Sequence, residues 1–281
     1  MRSAGPGDDR FACFVCSLNL NGITGTKIIL WLIAITIVCF AIGAGILAVT
    51  GGLPGQADKA ISPFRHSAMF TPNVTAIPLE GATAADIGIV LGAGELTVRD
   101  GAPDGALAEA TVFSKAPEWQ PQITGSVNGT VKTLAIRDIG SKGKEWFAVH
   151  SPNSWEILVT DEVPVALDVE VGAGDSTLDL SGLDLSSLDV KNGAGDTEID
   201  LSRYHGGPFR AVISNGVGDI TLRVADQSNT RITVRTGVGD LTQDGLVWHD
   251  EYFATHGYTP VKPANEIEIS QGVGSVALEA R

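Results

Sequence analysis

The sequence predicts an all-β domain, a parallel β-solenoid of stacked coils, that follows one N-terminal transmembrane helix. Three observations support this fold class: a short glycine motif recurs six times, apolar residues alternate with polar ones around each copy, and a long uncharged apolar segment precedes them. We number the copies as repeats 1 to 6. They are Gly92-Ala-Gly-Glu95, Gly172-Ala-Gly-Asp175, Gly193-Ala-Gly-Asp196, Gly216-Val-Gly-Asp219, Gly237-Val-Gly-Asp240 and Gly272-Val-Gly-Ser275.

Residues 28–50 are predicted to form the transmembrane helix. No residue from Ile28 to Leu53 is charged, and at 1.5 Å per residue a helix of about 22 residues spans roughly 33 Å. The alternative is a cleaved signal peptide, but its apolar core normally has only about 7–15 residues. Lys27 directly precedes the span, which favours a cytoplasmic N-terminus. We therefore expect a single-pass protein of the cell membrane whose large C-terminal domain is extracytoplasmic.

The segments on either side of this helix have no predicted fold. Residues 1–27 form a short tail, and residues 51–82, rich in Gly, Pro and Ala, are predicted to be a linker. Cys13 and Cys16 have the spacing of half a zinc ribbon, but a structural zinc site needs four ligands and the tail has neither a second pair nor a His. S-acylation near the membrane and no special role are the other interpretations of these thiols.

Residues 83–281 are predicted to form the β-solenoid. Repeats 2 to 5 begin 21, 23 and 21 residues apart, and such a period predicts coils that bury their apolar faces on one another. Repeats 1 and 2 begin 80 residues apart, and strand-like runs between them predict further coils or a sheet that covers one end. Repeats 5 and 6 begin 35 residues apart, so an inserted loop is expected. It contains Trp248, His249, Asp250, Glu251, Tyr252, Phe253, His256 and Tyr258.

The glycine motif is predicted to form the corner of each coil. Glycine permits positive φ and lets neighbouring backbones approach closely. The residue between the two glycines is always Ala or Val, and we expect it to point into the core at the corner. The fourth motif residue is Glu95, Asp175, Asp196, Asp219, Asp240 or Ser275. We expect each acid to accept a backbone N–H bond and cap the turn, and weak cation binding by the stacked carboxylates is the alternative.

Charge and motifs exclude several functions. Residues 51–281 carry 16 Lys and Arg against 31 Asp and Glu, so nucleic acid is not an expected partner. The glycine motifs lack the third glycine and the following helix of a nucleotide site, and no cofactor is expected. The one candidate catalytic cluster is His249, Asp250, Glu251 and His256, but its aromatic neighbours favour a lid over the last coils. We therefore assign no catalytic, cofactor-binding or metal residues and expect no enzyme.

The segment Leu167–Leu201 resembles the toast-rack or putative-adhesin β-solenoid domains, which also form the C-terminal part of LiaF-like cell-envelope stress regulators. Trp155–Val159 with Val163 and Pro164 is similar to the segment that leads into such domains, and Gly257–Leu278 is similar to their last coil. The resemblance covers roughly residues 85–281. It implies the architecture and transfers no catalytic residue. Unlike LiaF-like proteins, this chain has one predicted membrane helix rather than several.

These observations predict a non-enzymatic, membrane-anchored surface protein that acts in binding, adhesion or envelope scaffolding. The expected mechanism is recognition by a rigid acidic β-face, with strand addition at an uncapped end as one route. The expected partners are the membrane, an envelope protein, a surface polymer or another copy of the chain. One alternative is a regulator of envelope-stress signalling that binds another membrane protein, and another is an enzyme that acts on polysaccharides.

Overall fold

The computed structural model describes residues 72–113, 120–138 and 153–281. These residues form 19 strands in two sheets of mixed strand orientation, and they contain no helix. The all-β prediction is thus confirmed for the described residues. In spatial order, the nine-stranded sheet contains β1 (Asn73–Pro78), β4 (Ala106–Phe113), β7 (Ser154–Val159), β3 (Glu95–Asp100), β9 (Ser176–Asp179), β11 (Thr197–Leu201), β13 (Ile220–Val224), β19 (Val276–Ala280) and β15 (Leu241–Asp244).

Whereas the strand that follows the glycine corner of each repeat belongs to the nine-stranded sheet, the ten-stranded sheet contains the strand that leads into that corner. In spatial order it contains β16 (Val247–His249), β17 (Tyr252–Ala254), β14 (Thr230–Val238), β18 (Asn265–Val273), β12 (Arg210–Val217), β10 (Leu185–Ala194), β8 (Val165–Ala173), β2 (Ala84–Ala93), β6 (Val131–Arg137) and β5 (Gln122–Asn128).

The repeats stack in parallel with equivalent residues side by side. Val190 pairs with Val169 of the preceding repeat and with Ile213 of the following one, and Leu178 pairs with Ile199 in the other sheet. Because side chains alternate along each strand, these aliphatic columns all face the space between the two sheets, where they form one buried core.

The stacking order differs from the chain order at the last two repeats. Strand β18 of repeat 6 pairs with β12 of repeat 4 on one side and with β14 of repeat 5 on the other. The spatial order is therefore 1, 2, 3, 4, 6, 5, whereas a solenoid wound in chain order would end on repeat 6. The inserted segment between β15 and β18 supplies the length of chain that this crossing requires.

Antiparallel strands close the end of the stack beside repeat 1. Strands β6 and β7 continue the parallel pairing beyond that repeat, after which β5 adds to β6, β4 adds to β7 and β1 adds to β4, all antiparallel. The segment between repeats 1 and 2 was expected to form further coils or a covering sheet, and its described strands instead continue the two main sheets. Strand β1 lies within residues 51–82, the segment predicted as a linker.

The described residues contain no helix of a length and hydropathy that would cross a membrane. The predicted transmembrane helix at 28–50 lies outside the described residues, as does the predicted tail at 1–27 with Cys13 and Cys16.

Candidate functional site

The corners of repeats 2 to 6 are packed so tightly that only glycine fits. A Cβ atom on the first glycine of these repeats would lie 2.4 Å from the carbonyl oxygen of the first glycine in the preceding repeat of the stack. A Cβ atom on the second glycine would lie 1.8–2.1 Å from the carbonyl oxygen of the second glycine in that repeat. At Gly195, for example, φ is +135° and the nearest atom is the Gly174 carbonyl oxygen. Real Cβ atoms do not approach this closely, so the column of glycines is a steric requirement.

The residue between the two glycines faces solvent, which contradicts the sequence-based expectation. All six of these residues are exposed, and Val238 reaches 68%. The chain turns at this point, and the middle residue of the corner lies on the outside of the bend. The result is an exposed row of Ala and Val side chains along the stack.

Two sets of backbone hydrogen bonds join each corner to the next. The second glycine donates to the carbonyl of the middle residue in the next repeat, as Gly174 N does to Ala194 O at 2.7 Å. The residue after the acid donates to the carbonyl of the next acid, as Ser176 N does to Asp196 O at 2.9 Å. Both sets run through the whole stack, ending with the bonds from Gly274 N to Val238 O and from Val276 N to Asp240 O.

Three of the five motif acids, Asp175, Asp196 and Asp219, accept a backbone N–H bond, but the N–H belongs to the next repeat rather than to their own turn. Asp175 Oδ1 accepts a bond from Asp196 N at 3.0 Å, Asp196 Oδ1 accepts one from Asp219 N at 2.8 Å, and Asp219 Oδ1 accepts one from Ser275 N at 2.7 Å. These carboxylates therefore link neighbouring corners. As for the cation alternative, the part of the chain that the structure describes contains no cluster of three or more His, Cys, Asp or Glu arranged to hold a metal ion.

A third link between corners was missed by the sequence analysis. Asn192, Asn215 and Gln271 are each 4% exposed, and their amide groups donate to the second-glycine carbonyl of the preceding repeat, at 3.1, 3.2 and 2.6 Å. The signal was present in the sequence, because an amide residue directly precedes the first glycine in repeats 3, 4 and 6.

Repeat 5 ends the stack, and the core positions of its second strand, β15, are open. Leu241 is 40% exposed, although the equivalent residues of the other repeats are buried, Val276 among them. Gln243 is exposed in a column that otherwise contains only buried aliphatic residues: Val98, Leu178, Ile199, Leu222 and Leu278.

The strand edges of repeat 5 are also open. Among the described residues, strand β15 pairs only with β19. The outer edge of β14 is covered there only at its start, where Arg231 and Ile232 pair with β17 and Thr230 bonds to Thr255. Within the described residues, Gly239 N, Leu241 N and the Asp240 carboxylate therefore have no next repeat to bind. We call this surface, formed by Thr233–Val238 and Leu241–Asp244 with the corner between them, the open end.

The inserted loop forms a short hairpin of β16 and β17 beside the open end. Phe253 is buried against the core, and Trp248, which is 55% exposed, packs on it with 4.7 Å between ring centroids. On the other face of the hairpin, His249 stacks on Tyr252 at 5.2 Å, and the Arg231 guanidinium lies 4.3 Å from the Tyr252 ring centroid. The loop thus covers only part of the last repeat.

The candidate catalytic residues have separate partners. His249 lies among the tyrosine rings, whereas His256 Nδ1 is 2.6 Å from Asp226 Oδ1. This hydrogen bond from His256 holds the pKa of the Asp226 carboxyl below its usual value. Asp250 and Glu251 are exposed at the turn of the hairpin. The arrangement gives each histidine a structural contact and assembles no nucleophile with a base.

Comparison with known proteins gives one family and several solved structures. The family described as the N-terminal domain of toast_rack matches residues 67–223, more than half of the chain. A putative cell adhesion protein from Clostridium sporogenes ATCC 15579 is 23% identical and has a TM-score of 0.71, covering 76% of this chain and 100% of its own. That structure shares the fold.

Two further solved structures align at lower similarity. A putative adhesin from Bacteroides fragilis NCTC 9343 is 13% identical, covers 76% of this chain and 98% of its own, and has a TM-score of 0.29. A putative lipid binding protein from Parabacteroides distasonis ATCC 8503 is 10% identical, covers 75% and 97%, and has a TM-score of 0.25. None of these three is described as an enzyme. No curated protein matches the chain.

Proposed function

The chain belongs to the toast-rack family, and from this premise we propose that it is a non-enzymatic, membrane-anchored surface β-solenoid that binds a partner through the open end. The function is adhesion or envelope scaffolding. The observation that carries the proposal is the unpaired edge of repeat 5, in a stack whose corners are all joined by backbone hydrogen bonds and, from repeat 2 through repeats 3 and 4 to repeat 6, also by carboxylate and amide bonds.

The contrast between the two ends of the stack supports this choice. Proteins usually protect the edges of their sheets, because an exposed edge pairs with other chains. Beyond repeat 1, the antiparallel strands β5, β4 and β1 cover the edges of the parallel stack, and the edges left there belong to β1 and β5, which have no glycine corner. Within the described residues the open end has no such cover beyond Ile232, it exposes Leu241, and the hairpin beside it exposes Trp248. Strand addition at such an edge is a common mode of recognition.

The Clostridium sporogenes structure supports the adhesion class, because it has the same fold and is described as a putative cell adhesion protein. Membrane anchoring by residues 28–50 and an extracytoplasmic location are part of the proposal. Residues 51–281 contain no Cys, so Thr177→Cys, at an exposed position of β9, can report the location. An impermeant maleimide on intact cells should label this variant above the wild-type background, and labelling only after lysis would contradict the proposed location.

Site-specific photo-crosslinking in cells tests the binding role. A photoreactive amino acid at Thr242 would lie on the open end, and one at Thr177 would occupy the same outward position in the middle of the stack. We expect a discrete crosslinked product from position 242 and none from position 177, with an adhesin, scaffold protein or surface polymer identified by mass spectrometry. Capture of a sensor kinase would instead favour envelope-stress signalling. Equal or absent crosslinking at both positions would contradict the proposal.

A further inference from the structure

We propose that the open end is a docking site for a strand–corner–strand segment of a partner protein, and that the corner of this segment must carry a Gly-X-Gly sequence. The segment would stack on repeat 5 as a further repeat. This inference rests on the proposed function, since it names the chemistry of the partner that the open end binds.

The hydrogen-bonding groups of the open end define what the partner supplies. Elsewhere in the stack, the groups equivalent to Gly239 N and Leu241 N donate to two carbonyls of the next corner, and the group equivalent to the Asp240 carboxylate accepts one N–H from it. A partner must therefore present two carbonyls, two residues apart, and one backbone N–H between them. Gly239 N, Asp240 and Leu241 N lie at the corner between β14 and β15, so only a chain that turns with this corner and runs parallel to repeat 5 brings all three groups within reach.

Steric constraints then require glycine in that corner. In each corner from repeat 2 onward, a Cβ atom added to either glycine would lie 1.8–2.4 Å from a carbonyl oxygen of the preceding corner. The carbonyls of Gly237 and Gly239 face the open side in the same way. A partner residue with a Cβ atom at either facing position would meet these oxygens, so an ordinary strand cannot follow the corner.

The side chains of repeat 5 and the hairpin limit the partner further. The carbonyl of Gly239 is equivalent to the carbonyls that Asn192, Asn215 and Gln271 bind, so an Asn or Gln directly before the first glycine of the partner would donate to it. Strand β17 occupies the edge at Arg231 and Ile232. The partner segment therefore spans the twelve positions that face Thr233–Asp244.

A second copy of this chain does not meet these requirements. Its corners in repeats 1 to 4 and 6 are already covered within its own stack, and repeat 5 offers only the same open side. Two open ends that meet across a twofold axis would pair antiparallel, so neither would present to the other the parallel corner that the hydrogen bonds of the stack require.

The test uses a synthetic peptide and the purified full-length protein in detergent micelles. The probe is a fluorescein-labelled peptide with the sequence of residues 189–200, DVKNGAGDTEID, which contains the corner of repeat 3 and is equivalent to Thr233–Asp244. We expect saturable binding by fluorescence anisotropy. The same peptide with both glycines replaced by Ala should bind at least tenfold more weakly.

Two variants of the protein locate the binding. Leu241→Pro removes an N–H that points to the open side and is not used in pairing with β19, and Asp240→Ala removes the carboxylate acceptor. Each should weaken binding of the glycine peptide at least threefold, whereas Glu251→Ala, which removes an exposed acid of the hairpin, should leave it unchanged. Far-UV circular dichroism and the denaturation midpoint check that each variant is folded.

Three outcomes would overturn the inference: equal binding of the two peptides, no binding of either, or wild-type self-association by analytical ultracentrifugation that Leu241→Pro abolishes. The last would make a second copy the occupant. Failure of the inference is distinguishable from failure of the proposed function. A discrete crosslink from position 242 with no peptide selectivity would leave the binding role intact and remove only the glycine requirement.

Discussion

Replacement of Gly195 by Ala tests the tight stacking of the corners most directly. The added Cβ atom would lie 2.1 Å from the Gly174 carbonyl oxygen, and Gly195 has a φ of +135°, which L-residues rarely adopt. The substitution therefore combines two separate costs, crowding against the neighbouring repeat and backbone strain.

Two other glycines separate these costs. Gly129→Ala introduces backbone strain without crowding, because the φ of Gly129 is +63° and no atom lies within 4 Å of the added Cβ atom. Gly193→Ala has crowding alone, since its Cβ atom would be 2.4 Å from the Gly172 carbonyl oxygen and no positive φ is involved. Strain of this kind costs about 1–3 kcal/mol and overpacking costs about 1–3 kcal/mol. Gly195→Ala should thus lower the free energy of unfolding by about 2–6 kcal/mol.

The assay is a denaturant titration of the full-length protein in detergent, followed by tryptophan fluorescence, for which the buried Trp155 is a suitable reporter. Comparison of the midpoints at constant slope gives the change in stability. The expected order of destabilisation is Gly195→Ala first, with the other two variants less affected. If Gly195→Ala cost no more than Gly129→Ala, the corners would not be in the contact described above.

Three further predictions concern buried and paired groups. Asn215→Ala should lower the free energy of unfolding by about 1–3 kcal/mol in the same titration, because the carbonyl of Gly195 loses its donor. Burial raises the pKa of the Tyr204 phenol to about 12, so stability should fall as the pH rises from about 10 toward 12, where only the unfolded chain ionises this group, and Tyr204→Phe should reduce that fall. In His256→Ala, the pKa of the Asp226 carboxyl should rise toward its usual value, because the carboxyl loses the hydrogen bond from the His256 side chain that lowers this pKa most. An NMR titration checks this shift, and the stability that ionised Asp226 contributes, which is lost as the pH falls through its lowered pKa, should be smaller in this variant than in the wild type.

The repeated strands and the glycine corners could be predicted because they follow from local chemistry. Alternation along Leu167, Val169 and Val171 defines one buried face, and Gly172 and Gly174 mark a close approach of backbones. The capping role of Asp175 could be predicted for the same reason, although its partner lies in the next repeat. Each of these features depends on a few neighbouring residues.

The direction of the middle corner residue could not be predicted from alternation. Counting from the buried Val171, alternation places Ala173 on the inward side, but the chain turns after Gly172 and exposes it. The turn interrupts the period of two, and an apolar residue type at this position indicates nothing about burial.

The stacking order of repeats 5 and 6 could not be predicted from the periodicity either. Every repeat presents the same columns, so any two can stack, and periodicity does not specify which do. One residue did contain the information: Gln243 is the polar member of an aliphatic column, which marks repeat 5 as the end of the stack. A polar core position within a repeat array is thus a useful sign of a terminal repeat.

The crossing of repeats 5 and 6 has a consequence for how the chain folds during synthesis. Repeat 5 leaves the ribosome before repeat 6, yet both of its strands pair with those of repeat 6, β14 with β18 and β15 with β19. Repeats 1 to 4 can add one after another as they are made, whereas repeat 5 pairs only with β17 of the hairpin, and with no other repeat, until β18 and β19 follow. Non-local pairing of this kind is slow. We therefore expect the last step of folding to be the joint docking of repeats 5 and 6, with repeat 4 exposed to incorrect pairing until then.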